Sequence, residues 1–169
     1  MGEVRGREAY VLFQQIATGH SSMSTIHADS MERLVDRLVT PPISLPANLI
    51  EALDIIVFLV RIKYGNIYVR RISSIYEIVR YDRERNFPVV NEVFRWNPQE
   101  DNYREVNPSI MLKKIASQRG LTDQQIQQDI SNRTKVLKWM FDKSIADYRS
   151  VARIVKLYYT RAEDLLNAL

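Results

Sequence analysis

Cysteine is absent from this sequence, which excludes a disulfide framework and a thiolate zinc site and fits a reducing compartment. Glycine and proline are scarce, 5 and 6 residues of 169, so neither a collagen-like nor a low-complexity chain is in question. The longest apolar run, Ile55 to Val60, is far too short to span a bilayer as a helix. No charged segment followed by an apolar one reads as a signal peptide. Histidine occurs twice, at His20 and His27. No Gly-Lys-Ser/Thr occurs, and Gly2, Gly6, Gly19, Gly65 and Gly120 make no phosphate-cradling loop.

What is present is an ordinary globular composition, 46% hydrophobic and 26% charged, enough for one domain or one with a small addition. The expectation is a soluble, cytoplasmic protein. The net charge is +4. Cations interleave with acids, as in "YDRERN" and "QEDNYRE", which reads as solvated surface.

Residues 7–17 read as an amphipathic helix with Val11, Leu12 and Ile16 on its apolar side, stopped by Thr18-Gly19. "SMSTIHA" is β-prone and reads as a buried strand. Asp29-Ser30 suits the cap of a helix whose Met31, Leu34, Val35 and Leu38 share a face, and Pro41-Pro42 ends it. Pro46 suits the first turn of a short helix running to Ala52. "DIIVFLVRI" has the texture of a strand covered on both faces. "YGN" reads as a hairpin turn, "IYVRRISSIYEIVRY" as one long or two short strands, and "EVFRW" and "YREV" as a second hairpin about "NPQED". From Asn107 the pattern is helical, with Asn107-Pro108 as start, Gly120 as stop and Thr122 with Gln125 as a capping box. Ile126, Ile130, Leu137 and Phe141 keep one period, and Tyr148, Val151, Val155 and Tyr158 another. The tail reads as three helices with those stripes as core.

The chemistry concentrates in the first thirty residues. If Glu3 and His27 both end parallel strands, they point to one crevice at the strands' carboxyl ends, where ligands of open α/β sheets collect. A carboxylate there can orient water or reach magnesium, and a histidine can stabilise phosphate oxygens.

"GEVRGREA", "TGH" and "STIHADS" together resemble the Walker B region and histidine box of the P-loop ATPases that power type II and type IV secretion, pilus assembly and the archaellum. The tail "NRTKVLKWMFDKSIADYRSVARIVKLYYTRAEDLL" is similar to the C-terminal end of the archaeal members. The resemblance implies an α/β fold: residues 1–106 as the C-terminal portion of a RecA-like ATPase core with an antiparallel β extension, and 107–169 as a helical C-terminal subdomain. It implies that Glu3 activates the attacking water and supports Mg2+, and that His20 and His27 sense the γ-phosphate. Arg5 and Glu8 match the same motif and are expected to pair with each other or to face ATP. Thr18, Gly19, Thr25 and Asp29 match the motif too: the resemblance implies that Thr18 and Gly19 help to bind ATP, and the other reading of all four is turn, strand and cap. Arg70 and Arg71, adjacent on a strand, would point to opposite faces.

The resemblance further implies a hexamer of ATPase subunits, a polytopic membrane platform protein as partner, peripheral association with the membrane, and no nucleic acid. The chain reads as the last third of a larger protein, opening inside the Walker B strand with Met1 in place of its hydrophobic approach. Lacking the P-loop, it is expected to bind ATP weakly and to be inactive alone. Two other readings stand beside this one. The first is a basic, non-enzymatic module for nucleic acid or an acidic partner, with "YVRRISSIYEIVRY" as its candidate surface. The second is a regulator that docks into an intact motor.

Overall fold

The computed structural model describes residues 2–169; Met1, and the expectation placed on it, lies outside the described residues. The chain divides into two compact units, Met1–Met111 and Leu112–Leu169.

In the first unit, α1 (Glu8–Ala17) and α2 (Met31–Val39) precede a 3-10 turn (Ala47–Ala52) and four strands: β1 (Ile55–Tyr64), β2 (Ile67–Asp82), β3 (Phe87–Asn97) and β4 (Asn102–Glu105). The strands pair in chain order as one antiparallel sheet. Hairpin geometry explains that order. Gly65 takes φ 58°, which the tight Gly65-Asn66 turn requires and a side chain would resist. β2 is one long strand of 16 residues, and register slips at Phe58/Leu59, Ile75/Tyr76 and Ile78/Arg80 bend it.

The helices bury their apolar stripes against one face of this sheet. Ala9, Leu12 and Phe13 of α1, Met31, Leu34, Val35 and Leu38 of α2, and Ile50, Phe58, Ile43 and Leu45 form one core with Ile56, Tyr76 and Val90 beside it. Phe58 meets Tyr76 edge-on, with ring centroids 5.9 Å apart. The α1 stripe is rotated from the expected one: Phe13 is buried and Val11 is exposed.

Two expectations are corrected by this arrangement. β1 is an edge strand, not one covered on both faces. Its alternate residues Phe58 and Leu59 are 7% and 70% exposed, as the period of two dictates when helices cover only one side. "SMSTIHA" is not a buried strand either. It makes a single parallel bridge, Thr25 to Glu3, and Met23 is exposed, because no further strand lies beside it among the described residues.

Helix begins at Ile110, two residues later than the Pro108 start that Asn107-Pro108 suggests. Asn107 instead donates to the Glu92 carbonyl at 2.9 Å. Glu77, 3% exposed on β2, takes over the start of α3 (Ile110–Arg119): its carboxylate accepts from the Ser109 hydroxyl, from Ile110 N at 2.7 Å, Met111 N at 3.3 Å and Asn91 Nδ2 at 3.1 Å. Burial pushes the Glu77 carboxyl up, but these donors outweigh it and hold it below its ordinary range.

The second unit contains the remainder of α3, then α4 (Asp123–Asp142), α5 (Tyr148–Thr160) and α6 (Ala162–Asn167). Gly120 (φ 63°) ends α3, and the Thr122/Gln125 capping box opens α4. The tail therefore has a fourth helix beyond the three the sequence suggests. Its Leu165 joins Val136 and Met140 in the core, with Val151, Ile154, Leu157 and Tyr158 packed around them. Of the apolar stripes read from the sequence, Leu137, Phe141, Tyr148 and Val155 are exposed. No helix among the described residues is long and apolar enough to cross a membrane.

Candidate functional site

The first backbone contact sets the site. Val4 N donates to the Thr25 carbonyl at 2.8 Å, and the Thr25 hydroxyl donates to the Gly2 carbonyl at 2.6 Å. Residues 2–4 and 25 thus lie side by side in parallel. Val4 turns into the core, so its neighbour Glu3 turns the other way. His27, two residues beyond Thr25, falls on the same side. Its Nε2 stands 3.3 Å from Glu3 Oε1, with the imidazole 78% exposed.

Arg5 binds the other oxygen: its Nη2 donates to Glu3 Oε2 at 2.6 Å. That hydrogen bond is the main reason the Glu3 carboxyl lies below its ordinary range. Burial opposes the shift, and the charges of Arg5, His27 and Arg37 add to it. Glu3 Oε1 is buried without a hydrogen-bond partner among the described residues, and so is Ser24 Oγ nearby in sequence. An ionised carboxylate with Oε2 held by Arg5 and Oε1 facing His27 without a hydrogen bond retains acceptor capacity for a proton or a cation.

The remaining candidate residues make local contacts. Glu8 does not pair with the Arg5 side chain. Its Oε1 accepts from Arg5 N at 3.1 Å and Gly6 N at 3.0 Å, capping the amides that lead into its own helix. Those backbone donors hold its carboxyl below the usual range, against burial. Thr18 and Gly19 close α1: Gly19 takes φ 90°, and the Thr18 hydroxyl donates to the Gln15 carbonyl at 2.9 Å. His20 is exposed just past that end, its Nδ1 3.2 Å from Thr18 Oγ1, and no contact joins it to Glu3 or His27. Asp29 pairs with Arg33 at 3.0 Å, while Ser30 caps α2.

The structure thus brings Glu3, Arg5, Thr25 and His27 together, ties Glu8 to them only through the Arg5 and Gly6 amides, and leaves His20 and Asp29 apart. Sequence reading missed Ser24, although it alternates with Thr25, and Arg37. Arg37 reaches Glu3 electrostatically from the last turn of α2, a proximity only the fold creates. No group of three or more His, Cys, Asp or Glu that could hold a metal occurs among the described residues.

Arg70 and Arg71 differ as adjacent strand residues should. Arg71 donates through Nε and Nη2 to Asp101 at 2.7 and 2.6 Å, and Trp96 Nε1 joins at 2.9 Å. This fork lowers the Asp101 carboxyl to about 2, against burial. Arg61 lies over the Tyr68 ring, and Arg80 stands 3.6 Å from Asp82. The stretch "YVRRISSIYEIVRY" is therefore a strand with two of its three cations, Arg71 and Arg80, in ion pairs, and not a continuous basic face.

Residues 1–63 match the family described as type II/IV secretion system protein, and residues 100–169 match one described as PilB3-like, C-terminal. The chain is also similar to uncharacterized proteins of the archaeon Methanocaldococcus jannaschii. It is 38% identical to MJ1287 over 88% of this chain and 58% of that protein. It is 32% identical to MJ0900 over 95% of this chain and 30% of that protein. In both cases the chain spans less than two thirds of the relative's length. The first match holds the Glu3–His27 pair and most of β1, the second holds β4 and the helical unit, and β2 and β3 lie between them. Together the two matches support the type II/IV secretion ATPase family, C-terminal part, as what this chain is similar to.

Proposed function

We propose that this chain is the C-terminal part of an ATP-driven motor for secretion or for pilus or archaellum assembly. It would work as a hexamer at the cytoplasmic side of a membrane, against a polytopic platform protein. The supporting observation is the Glu3–His27 pair with Glu3 Oε1 uncommitted and Arg5 on Oε2.

These residues fit one part of an ATP–magnesium site. An ionised carboxylate with a free oxygen suits magnesium or its water, and magnesium needs only one or two protein carboxylates when phosphates complete its shell. The phosphate-cradling part has no counterpart in the sequence. Bound nucleotide and magnesium would supply the scissile phosphate and a polarised water. Within this chain, Arg5 keeps Glu3 ionised and aimed, Glu3 Oε1 accepts the water's proton, and His27 Nε2 meets charge developing on phosphate oxygens. A P-loop-bearing segment would complete the RecA-like core, and Thr18, Gly19 and His20 would approach nucleotide only in that assembly, since no contact joins His20 to Glu3 or His27.

The test has two parts. Calorimetry with ATP and magnesium on the 169 residues alone should show no micromolar binding. In a protein that joins these residues to a P-loop-bearing segment, Glu3→Gln should lower hydrolysis by roughly a thousandfold while sparing nucleotide binding. Hydrolysis unchanged by Glu3→Gln would overturn the assignment.

A further inference from the structure

The positive charge of this protein is not shared between its units. Residues 112–169 hold 11 of the 24 Lys and Arg but only 6 of the 20 Asp and Glu. The helical unit is thus +5, and residues 1–111 are −1.

The same unit leaves a stripe of large apolar side chains outside. α4 and α5 form an antiparallel hairpin: Tyr158 OH donates to Asp129 Oδ1 at 2.7 Å and Arg133 Nη1 to Tyr159 OH at 3.2 Å, while residues 143–147 join the other ends. On α4 the packed direction is marked by Val136 and Met140. At about 100° per residue, Leu137 and Phe141 stand roughly a quarter to a third of a turn beyond it. On α5 the packed direction is marked by Val151, Ile154 and Tyr158, and Tyr148, Val155 and Tyr159 stand about a third of a turn beyond in the same rotational sense. In an antiparallel pair, equal offsets project to one side. All five are exposed, Phe141 by 83% and Tyr148 by 86%.

Cations line this face. Lys138 lies on the outer side of α4, Arg149 and Lys156 on the outer side of α5, and Lys143 in the connecting turn. All four are exposed, and none forms an ion pair among the described residues.

We propose that this face of the α4–α5 hairpin is a docking surface for an anionic lipid bilayer. Aromatic and aliphatic side chains would enter the headgroup boundary while lysine and arginine meet acidic headgroups. Three observations favour lipid. A second copy would bring +5 against +5. Phe141 and Tyr148 are almost wholly exposed, so a protein partner would have to supply a pocket for each, whereas a headgroup layer conforms to whatever protrudes. The composition, with Tyr and Phe between basic flanks, is that of interfacial helices. This surface is separate from the Glu3–His27 site, and its test uses neither nucleotide nor a platform protein.

The experiment is co-sedimentation of the whole chain with vesicles of phosphatidylcholine containing phosphatidylglycerol, and with vesicles of phosphatidylcholine alone. Partition onto the anionic vesicles, weakened by added salt and absent from the neutral ones, is the expected result. The double variant Phe141→Glu/Tyr148→Glu should weaken it by about tenfold or more with the helical circular dichroism unchanged. Leu59→Glu, a comparably exposed change on β1, should leave it as it was. Equal partition onto both vesicles, or indifference to the double variant, would overturn the proposal. So would absence of partition. Light scattering would then separate a self-interface, seen as a dimer broken by Phe141→Glu, from a monomer whose face fits an acidic protein.

Discussion

The two units spend their apolar residues differently. The first buries a continuous core from α1, α2, the 3-10 turn and one sheet face, and it carries almost no net charge. The second buries Val136, Met140 and Leu165 at its centre and turns Leu137, Phe141, Tyr148 and Tyr159 outward amid unpaired cations. A sheet offers a broad surface on which two helices can both lay their stripes. A helical hairpin with one short helix beside it covers only part of each stripe, and what remains outside is free for another purpose. The helical period alone does not distinguish the covered side from the uncovered one.

Substitutions that reach the core of one unit should therefore leave the other intact, and the largest effect should come from Ile50. It is fully buried beneath both helices. Ile50→Ala is expected to cost about 4 kcal/mol, seen in urea denaturation as an earlier transition of the first unit with the helical unit's transition unmoved. A single shifted transition would show that the units unfold together.

Next comes the carboxylate that opens α3. Glu77→Ala strands the donors of Ser109, Ile110, Met111 and Asn91 and should cost about 3 kcal/mol. Amide exchange at Ile110 and Met111 should speed up more than in α4. If exchange rises equally along α4 and α5, Glu77 does not act locally.

Acid should separate the units in a third way. The Asp101 carboxyl is held at about 2, below its ordinary 3.8, by the Arg71 fork. Because the folded value is depressed, this stabilisation is complete above the unfolded value and is lost as pH falls from about 4 towards 2. Asp101→Asn should flatten that part of the first unit's stability curve and leave the helical unit's curve unchanged. Retention of the full acid slope would point to another group.

The smallest effect is the most pointed. Phe141→Ser removes a large apolar side chain, yet it should change the helical unit's stability by no more than about 0.5 kcal/mol, since almost none of it is buried. A loss of several kcal/mol in thermal melts would mean the face is covered in solution.

Much of the local structure was legible before any coordinates. Ser30, Gly19, Gly65, Gly120 and the Thr122/Gln125 box fix their element ends through short-range hydrogen bonds and φ preferences, which depend on a few neighbouring residues. The α2 stripe was legible too, because its four apolar residues cover one face and the other face is polar. Val11, Leu137 and Tyr148 were misread as core because an apolar residue at the stripe's margin is buried only if a neighbour reaches it. Glu77 and Arg37 gave no signal in the sequence, since their partners lie 14 to 34 positions away.

The sequence by itself determined the element types, the hairpin order of the sheet and the presence of a Gly-Glu and a histidine motif of recognisable spacing. Those depend on local geometry and on residue identity. Tertiary structure alone decided that Glu3 and His27 share one side of a parallel bridge while His20 stays apart, that β1 is an edge with one bare face, and that the hairpin's cations and aromatics share a surface. Each of these depends on which segment comes to lie beside which, and that is set by the burial of the whole core and not by any window of the chain.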